Sequence, residues 1–308
     1  MLVLCGQSKG GPMFEMPRWP TQPGHYRWLY ADVNAGEYSA VVIFMGGALF
    51  SPRYAAAARA GASPLDHSAV NFVLYHRGRT VAWAFSEYSA RAVHQNGGVL
   101  QIGDSRFSYE DGRIVIDVNE RSAPFGGAVT GRIVLTPQGA VGPEIPLRRD
   151  LPHYWQPLAP RCSASLTVGG KTHEGFGYHD MNHGEELLGE RLAGWRWARV
   201  HDAERTTISY SLDDTICVVA EQGSVSVQRH ARVACDDTRT RWLLAVPKSI
   251  VTRASSLSVK HTLESSPFYA RLEGSNGEQH GIVEIADFRR FLRPTLRWMA
   301  HVRMRRVA

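Results

Sequence analysis

Apolar and polar residues alternate along most of this chain, which is the pattern of half-buried β-strands. In HSAVNFVLYHRGRTVAWAFSEY (residues 67–88) two alternating runs flank Arg77-Gly78, and in SYEDGRIVIDV (residues 108–118) one run follows Asp111-Gly112. Such residue pairs favour the tight turns that join the strands of a hairpin. The alternation returns at residues 205–233, and no βα repetition accompanies it. The pattern therefore predicts a mostly β protein built from hairpins.

A proline-rich stretch separates the two strand-rich regions. It reads PQGAVGPEIPLRRDLPHYWQPLAPR and covers residues 137–161. A chain of 308 residues suits two domains of about 150 residues each. We therefore expect a β domain at residues 1–150 and a second at 151–308, each a sandwich or a barrel. One short helix is predicted in SPRYAAAARAG (residues 51–61), with Ser51 as N-cap and Pro52 at the first helical position.

The composition is that of an ordinary globular protein, with 44% hydrophobic and 21% charged residues. The four cysteines are scattered without a Cys-x-x-Cys spacing, which favours neither a zinc site nor a disulfide framework. No stretch approaches the roughly 18 consecutive apolar residues of a membrane span. These features predict a soluble protein of the reducing cytoplasm.

Positive charge is concentrated near the end of the chain. The net charge is +6, and arginines are dense in RRFLRPTLRWMAHVRMRRVA (residues 289–308). Because the charge is local, we expect no nucleic-acid partner. Apolar residues recur there at roughly helical spacing, which predicts a basic amphipathic segment able to lie on a membrane surface. The alternative is a closing element whose arginines are merely solvated.

The familiar metal and nucleotide motifs are incomplete in this sequence. VGGKTHEG (residues 168–175) resembles a phosphate-binding loop but lacks its first glycine, and turn-like residues follow it. His179 and His183 are four residues apart, which would suit one metal ion on a helix. On a strand their positions would lie about 13 Å apart, too far for a shared ion. We therefore expect no metal and no cofactor.

The stretch GFGYHDMNHGEELL (residues 175–188) concentrates aromatic, acidic and amide side chains. If it is extended, alternation places Tyr178, Asp180 and Asn182 on one face, with His179 and His183 on the other. One face of the strand is then uniformly polar.

A second strand follows in GWRWARV, where Trp195, Trp197 and Arg199 share a side, and Tyr210 lies shortly beyond. A carboxylate among indole and phenol rings loses solvation, which favours a protonated acid near neutral pH. Ring faces also stabilise a cation, so such a site suits protonation of a carbon–carbon double bond. The alternative is structural: Asp180 caps a turn with Asn182, the tryptophans fill a barrel and the histidines lie on the surface.

At these residues the chain resembles a known family. GFGYHDMNHGEELLGERLAGWRWARV looks like the central signature of the carotenoid 1,2-hydratase (hydroxyneurosporene synthase) family, in which a Tyr-x-Asp-x-Asn-x-Gly strand precedes a Trp-x-Trp-x-Arg strand. Similarity extends to residues 41–75, LESSPFYARL and residues 290–306. AWAFSEYS retains Glu87 without the family's neighbouring arginine and glycine, and GIVEIADF retains Glu284 but has Val283 in place of the family's histidine. The resemblance implies two lipocalin-like (calycin) β-barrel or β-sandwich domains with few short helices, no cofactor, and addition of water to a terminal isoprenoid double bond.

The leading hypothesis is a cofactor-independent, acid-catalysed hydratase of a hydrophobic isoprenoid or polyene. Asp180 would donate the proton beside Tyr210, and His179 or His183 would relay it or activate water. Four carboxylates remain eligible as the acid: Glu87, Asp180, Glu186 and Glu284. The residues expected to bind substrate are Tyr178, Asn182, Trp195, Trp197, Arg199, Glu87, Trp83, Tyr269 and Glu284.

Two other functions remain open. One is a cyclase or pericyclase of the Diels–Alderase type on the same scaffold, in which the protein mainly supplies conformation. The other is a lipid-binding protein without chemistry. In each case the partner is a hydrophobic small molecule, and the expected location is the cytoplasm with contact to a membrane surface through the basic C-terminal segment.

Overall fold

The computed structural model describes residues 14–122, 126–231, 236–252 and 255–307. Its strands in chain order are β1 Tyr26–Ala35, β2 Tyr38–Gly46, β3 Ser68–His76, β4 Arg79–Tyr88, β5 Val93–Asn96, β6 Val99–Ile102, β7 Ser105–Glu110, β8 Arg113–Arg121, β9 Ala128–Pro137, β10 Ile145–Pro146, β11 His153–Val168, β12 Lys171–Gly184, β13 Gly194–His201, β14 Arg205–Ser211, β15 Asp214–Glu221, β16 Ser224–Ala231, β17 Asp237–Arg239, β18 Ala245–Pro247, β19 Ser249–Thr252, β20 Ser255–Ser258, β21 His261–Ser265, β22 Tyr269–Ser275, β23 His280–Asp287 and β24 Arg305–Val307. The helices are α1 Pro52–Arg59, α2 Phe288–Phe291 and α3 Pro294–Arg303, with 3-10 turns at Pro64–His67 and Ala90–Ala92. The predicted fold class, mostly β with few short helices, is confirmed.

The chain divides into two compact units. The first contains the described residues up to Leu188 together with those from Arg297 onward, and the second is Gly189–Leu296. The boundary expected after residue 150 lies inside the first unit, because the proline-rich stretch at 137–161 includes β10 and much of β11. β11 pairs with both β9 and β12, and its register shifts on either side of Ala159, beside Pro157 and Pro160. These prolines therefore lie at irregularities of a paired strand, where the missing N–H is tolerated.

A 13-stranded sheet forms the first unit, in the order β24-β4-β3-β2-β1-β12-β11-β9-β8-β7-β6-β5, with β10 added beside β11. Strands from distant parts of this order share one apolar core. Phe44 of β2 meets Phe107 of β7 with ring centroids 5.6 Å apart, and both are fully buried. The sheet must therefore curl around its core, as a barrel does.

Local predictions in the first unit are confirmed. Ser51 caps α1 by accepting a hydrogen bond from the backbone N–H of Tyr54, and Pro52 begins the helix. β3 and β4 form the expected hairpin at Arg77-Gly78, and β7 and β8 form the one at Asp111-Gly112. Residues of both turns have positive φ, as tight hairpins require.

The second unit is a seven-stranded antiparallel sheet in the order β16-β15-β14-β13-β23-β22-β21, accompanied by the short pairs β17–β18 and β19–β20. Its core packs Ile250 of β19 and Leu257 of β20 against residues such as Val200 and Leu272 of the main sheet. One face of the seven-stranded sheet is thereby apolar. The alternate residues of each strand point to the other face.

The basic C-terminal segment is two helices and a strand. α3 begins at Pro294, a position where the missing N–H of proline is tolerated. Trp298 and Val302, four residues apart on α3, are 67% and 50% exposed. β24 then pairs in parallel with β4. No helix in the described ranges is both long and apolar enough to cross a membrane.

Candidate active site

Asp180 lies on β12, between β1 and β11. Its backbone is opposite Tyr30 of β1, and the next residue on its face, Asn182, is opposite Trp155 of β11. The expected facing of β12 is confirmed: Met181 belongs to the apolar core, so Asp180 and Asn182 point to the other face. That face is buried as well, with Asp180 4% exposed.

The Asp180 carboxyl accepts hydrogen bonds from three side chains. Oδ2 accepts from the Trp155 indole N–H at 2.9 Å and from the Tyr178 hydroxyl at 2.7 Å. Oδ1 accepts from the Asn182 amide at 3.3 Å. A buried carboxyl that is held by several donors has a fixed orientation and a well-stabilised conjugate base. The structure thus brings together the three β12 residues that the sequence placed on one face.

A second Tyr-x-Asp pair lies beside the first. The Tyr30 hydroxyl donates to Asp32 Oδ2 at 2.8 Å, and Asp32 is fully buried. Tyr30 is directly opposite Asp180, while Asp32 is directly opposite Tyr178. The two tyrosine rings meet edge to face at 6.0 Å. Two buried carboxyls therefore occupy diagonal positions on one face of the sheet, a separation of roughly 7–8 Å in antiparallel pairs.

A histidine that the sequence analysis missed lies at the end of the same strands. His153 of β11 contacts the Tyr26 hydroxyl through Nδ1 at 2.9 Å, and its Nε2 is 3.2 Å from Glu186 Oε1. Burial, and then the charge of Glu186, raises the pKa of Tyr26 well above its usual value. The phenol therefore stays protonated while it shares a hydrogen bond with His153. Glu186, one of the eligible acids, is paired to this histidine.

Gly184, the glycine of the signature, makes the Tyr26–His153 contact possible. It is opposite Tyr26 on one side and His153 on the other. A Cβ at Gly184 would lie 2.4 Å from the Tyr26 ring and 2.5 Å from His153 Nδ1, which is closer than atoms pack. The absence of a side chain lets the hydrogen bond cross β12.

The missed residues carried a signal in the sequence. YRWLYAD alternates Tyr26, Trp28, Tyr30 and Asp32 with apolar residues, and HYW repeats the period in the proline-rich stretch. The pairing of β1 and β11 with β12 was not evident from either segment, because one lies far upstream and the other was interpreted as a boundary.

His179 points into the apolar core of the first unit, away from Asp180. Its Nδ1–H donates to the Tyr30 carbonyl at 2.8 Å, and Nε2 accepts from the Tyr109 hydroxyl at 2.8 Å. Burial lowers the pKa of His179 to about 4, so the ring is neutral at physiological pH. The structure does not bring His179 together with the acid. It is a hydrogen-bonded core residue, which explains why a histidine is tolerated there.

His183 is also separate from Asp180. It stacks on Tyr154 with ring centroids 4.9 Å apart, and its Nε2 is 2.8 Å from Glu144 Oε2 near the surface. Like His179, it belongs to the parity opposite to Asp180. Neither histidine therefore lies where the expected proton relay or water activation would need it.

Glu87 of β4 is a fully buried charge centre. Burial raises its pKa, but hydrogen bonds from His67 and Arg53 outweigh this and hold the pKa below its usual value. Arg306 of β24 adds a further positive charge at 3.4 Å. Glu87 is thus held as a carboxylate and has no proton to donate. Trp83, also on β4, lies beneath the Arg303 guanidinium at 4.6 Å, a cation–π contact.

The other predicted residues lie in the second unit. Trp197 is opposite Tyr210 on one side and Glu284 on the other, and Glu284 forms a buried ion pair with Arg271. Trp195 packs edge to face on Phe288 at 5.0 Å. This unit therefore holds a buried aromatic and charged cluster of its own, formed by Trp195, Trp197, Arg199, Tyr210, Tyr269, Arg271 and Glu284.

The surroundings of Tyr269 and Glu284 in the second cluster bear on their chemistry. Burial raises the pKa of Tyr269 well above its ordinary value, so it remains a phenol. Glu284, an eligible acid in the sequence, accepts a hydrogen bond from the Arg271 guanidinium within their ion pair. Within the ranges that the structure describes, no group of three or more His, Cys, Asp or Glu side chains is arranged to hold a metal ion.

Solved structures with the same architecture share little sequence with this chain. The crystal structure of an AttH-type protein from Nitrosomonas europaea matches with a TM-score of 0.56 at 11% identity, covering 88% of this chain and 93% of its own. The crystal structure of CghA matches with a TM-score of 0.54 at 11% identity, covering 90% of this chain and 95% of its own. At this identity the likeness is one of fold.

Sequence relatives are more specific. The chain is 32% identical to an acyclic carotenoid 1,2-hydratase from Thiocapsa roseopersicina, over 96% of this chain and 76% of that protein. It is 31% identical to an acyclic carotenoid 1,2-hydratase from Rhodobacter capsulatus, over 85% of this chain and 96% of that protein. The family model of carotenoid hydratase CrtC matches residues 41–308, a range that includes Asp180 and its hydrogen-bond donors, so the chain belongs to the carotenoid hydratase CrtC family.

Proposed function

We propose that this chain is a hydro-lyase that adds water to the terminal double bond of an acyclic carotenoid, with Asp180 as the proton donor. The observation that supports it most directly is the environment of Asp180: a buried carboxyl, oriented by Trp155 and Tyr178, on a face rich in aromatic rings. This environment suits an acid that protonates an alkene carbon in a site without bulk water.

The two oxygens of Asp180 have different roles in this proposal. Oδ2 is occupied by the short bonds from Trp155 and Tyr178, so we assign the transferable proton to Oδ1. When that proton leaves, the donors on Oδ2 stabilise the negative charge that develops. Asn182 keeps Oδ1 in place through its longer bond.

Protonation of the less substituted alkene carbon leaves a tertiary cation on the other carbon. Aromatic faces attract cations through their quadrupoles, and Tyr30, Trp28 and Tyr178 supply rings on the face that contains Asp180. Water then forms the new carbon–oxygen bond. The resulting oxonium returns one proton to the Asp180 carboxylate, so the acid is restored and the net reaction is addition of one water molecule.

Asp180→Asn tests the assignment, because it keeps the shape of the side chain and removes its acid. Turnover should fall by about 10²–10⁴-fold or more, with the melting temperature little changed. Asp117→Asn is a matched control, since Asp117 is an exposed carboxylate paired with Arg132, and it should retain full activity. A folded and fully active Asp180→Asn would end the proposal.

Labelled water distinguishes hydration from cyclisation. A hydratase product carries oxygen from the heavy water and gains the mass of one water molecule. An isomer of unchanged mass would favour the cyclase alternative. Binding of a carotenoid without any product would instead indicate the lipid-binding alternative.

We also propose that the enzyme meets its substrate at a membrane surface. A carotenoid dissolves in lipid, and α3 exposes Trp298 and Val302 within an arginine-rich segment. Exposed tryptophan beside basic residues is the composition of an interfacial segment.

A further inference from the structure

Asn182 has a side-chain oxygen that accepts no hydrogen bond from any residue that the structure describes. The residue is 2% exposed, and its amide nitrogen donates to Asp180 Oδ1 at 3.3 Å. Its carbonyl oxygen Oδ1 is buried and, across the described parts of the chain, accepts no hydrogen bond. A buried acceptor left unsatisfied costs about 1–3 kcal/mol, so its retention beside the acid points to a donor that comes from outside the protein.

The orientation of the amide follows from its neighbour. The carboxyl oxygen of Asp180 accepts a hydrogen bond, so the NH₂ end of Asn182 faces it and the C=O end faces away. Trp28 and Trp155 are the cross-strand neighbours of Asn182 on its two sides. Trp155 commits its N–H to Asp180. Asn182 Oδ1 is thus a buried acceptor that a small O–H donor such as water would satisfy.

We propose that Asn182 Oδ1 binds and orients the water molecule that attacks the cation, an inference that rests on the proposed hydratase function. The water donates one hydrogen to Asn182 and directs a lone pair at the tertiary carbon. As the carbon–oxygen bond forms, the other hydrogen passes to the Asp180 carboxylate, which has just lost its proton to the alkene. Asn182 is a positioning residue, because it exchanges no proton itself.

A neutral amide suits this role better than a carboxylate. A second carboxyl in direct contact with Asp180 would titrate together with it, and the proton would then be distributed over both groups. An amide offers an acceptor of fixed direction and keeps its protonation state throughout. Asp180 and Asn182 are neighbours on one face of β12. The acid and the water that Asn182 binds therefore lie on the same side of the substrate.

Hydration and proton exchange can be measured separately in deuterated water. Protonation of the alkene followed by loss of a proton returns substrate that carries deuterium, whereas capture by water gives product. In Asn182→Ala, hydration should fall by about tenfold to a hundredfold while deuterium uptake into recovered substrate persists, so the ratio of exchange to hydration rises. Asn182→Ser keeps an oxygen acceptor and should recover part of the hydration rate. Asn119→Ala, at an exposed position of β8, is the control and should match the unmodified enzyme.

Several outcomes would overturn the inference. Equal losses of exchange and hydration in both Asn182 variants would mean that Asn182 only positions Asp180. Unchanged hydration in a folded Asn182→Ala would remove any role in water binding. The proposed function fails differently: Asp180→Asn should abolish exchange and hydration together, and its failure to do so would refute the acid without reference to Asn182. If Asn182→Ala does not fold, a folded Asn182→Ser with a raised exchange-to-hydration ratio would support the inference, and one whose exchange and hydration are unchanged or equally reduced would contradict it.

Discussion

At the scale of single residues, neighbours on β12 have opposite environments. Asp180 lies among hydrogen-bond donors on one face, whereas His179 is neutral within the apolar core on the other. The difference follows from the strand period of two. Substitutions of the two residues should therefore have different effects: at Asp180 on turnover, and at His179 on stability.

We predict that His179 makes the fold sensitive to acid. Its pKa is about 4 in the native protein, below the ordinary 6.5, because burial opposes the charged ring. As pH falls below about 6.5, the unfolded chain binds a proton that the native state excludes, so the free energy of unfolding decreases until pH reaches about 4. The shift corresponds to roughly 3 kcal/mol at its acidic limit. Denaturant unfolding at a series of pH values measures this dependence.

His179→Gln keeps a neutral polar group and removes the titration, so its stability should vary less between pH 7 and 4.5 than that of the unmodified protein. His94→Gln, at an exposed position of β5, should leave the pH dependence unchanged. An equally steep acid loss in His179→Gln would show that other groups are responsible.

At the scale of secondary-structure elements, Glu87 connects parts of the chain that are distant in sequence. Its carboxylate accepts hydrogen bonds from Ser51 at the start of α1 and from Arg53 within α1. His67 and Arg306 approach its other oxygen. One buried carboxylate therefore holds a helix, a 3-10 turn and the parallel strand β24 against β4.

We predict that Glu87→Gln destabilises the protein by about 3 kcal/mol, the low end for a broken buried ion pair, because Arg53 remains partly exposed to water. Hydrogen exchange should quicken first in β24, where Arg306 loses its ion pair with Glu87 and keeps only its hydrogen bonds to the Asp66 and Tyr88 carbonyls. Glu110→Gln removes an exposed pair with Arg106 and should change stability by less than about 1 kcal/mol. Unchanged exchange in β24 after Glu87→Gln would mean that backbone pairing alone retains it.

The elements were predicted more completely from sequence than their neighbours in the sheet. Hairpins, α1 and the facing of β12 depend on residues close together in the chain, so alternation and turn residues were sufficient. The partners of β12 depend on pairing between distant segments, and therefore Asp32, Trp155 and His153 were not identified. The division into units differs from the boundary expected after residue 150 for a related reason. Prolines mark a linker in one context and an irregular strand in another, and only strand pairing distinguishes the two.

At the scale of the whole molecule, a substrate that dissolves in lipid requires contact between the enzyme and a membrane surface. We predict that the enzyme binds vesicles containing anionic lipid and that binding weakens as salt rises, since charges are screened beyond about 8 Å at physiological ionic strength. Trp298→Ala should weaken binding by about tenfold or more, because burying a large apolar side chain contributes roughly 1.5–3 kcal/mol. Sedimentation with vesicles at several salt concentrations measures both effects.

Val81→Ala is the control for that experiment, because Val81 is 55% exposed on β4 and lies outside the basic segment. It should bind vesicles normally. Absence of binding at low salt, or equal losses in the two variants, would remove the role of α3 at the membrane.

The pairing of β24 with β4 has a consequence for the chain during its synthesis on the ribosome. β4 is made early, but the strand that covers its edge follows only after Gly189–Leu296 has been synthesised. At about 5–20 residues per second, the nascent first unit waits roughly 5–20 s with an open strand edge and with Glu87 lacking Arg306. An open edge can pair with other chains. Translation speed through the second unit should therefore affect how much of the newly made enzyme aggregates.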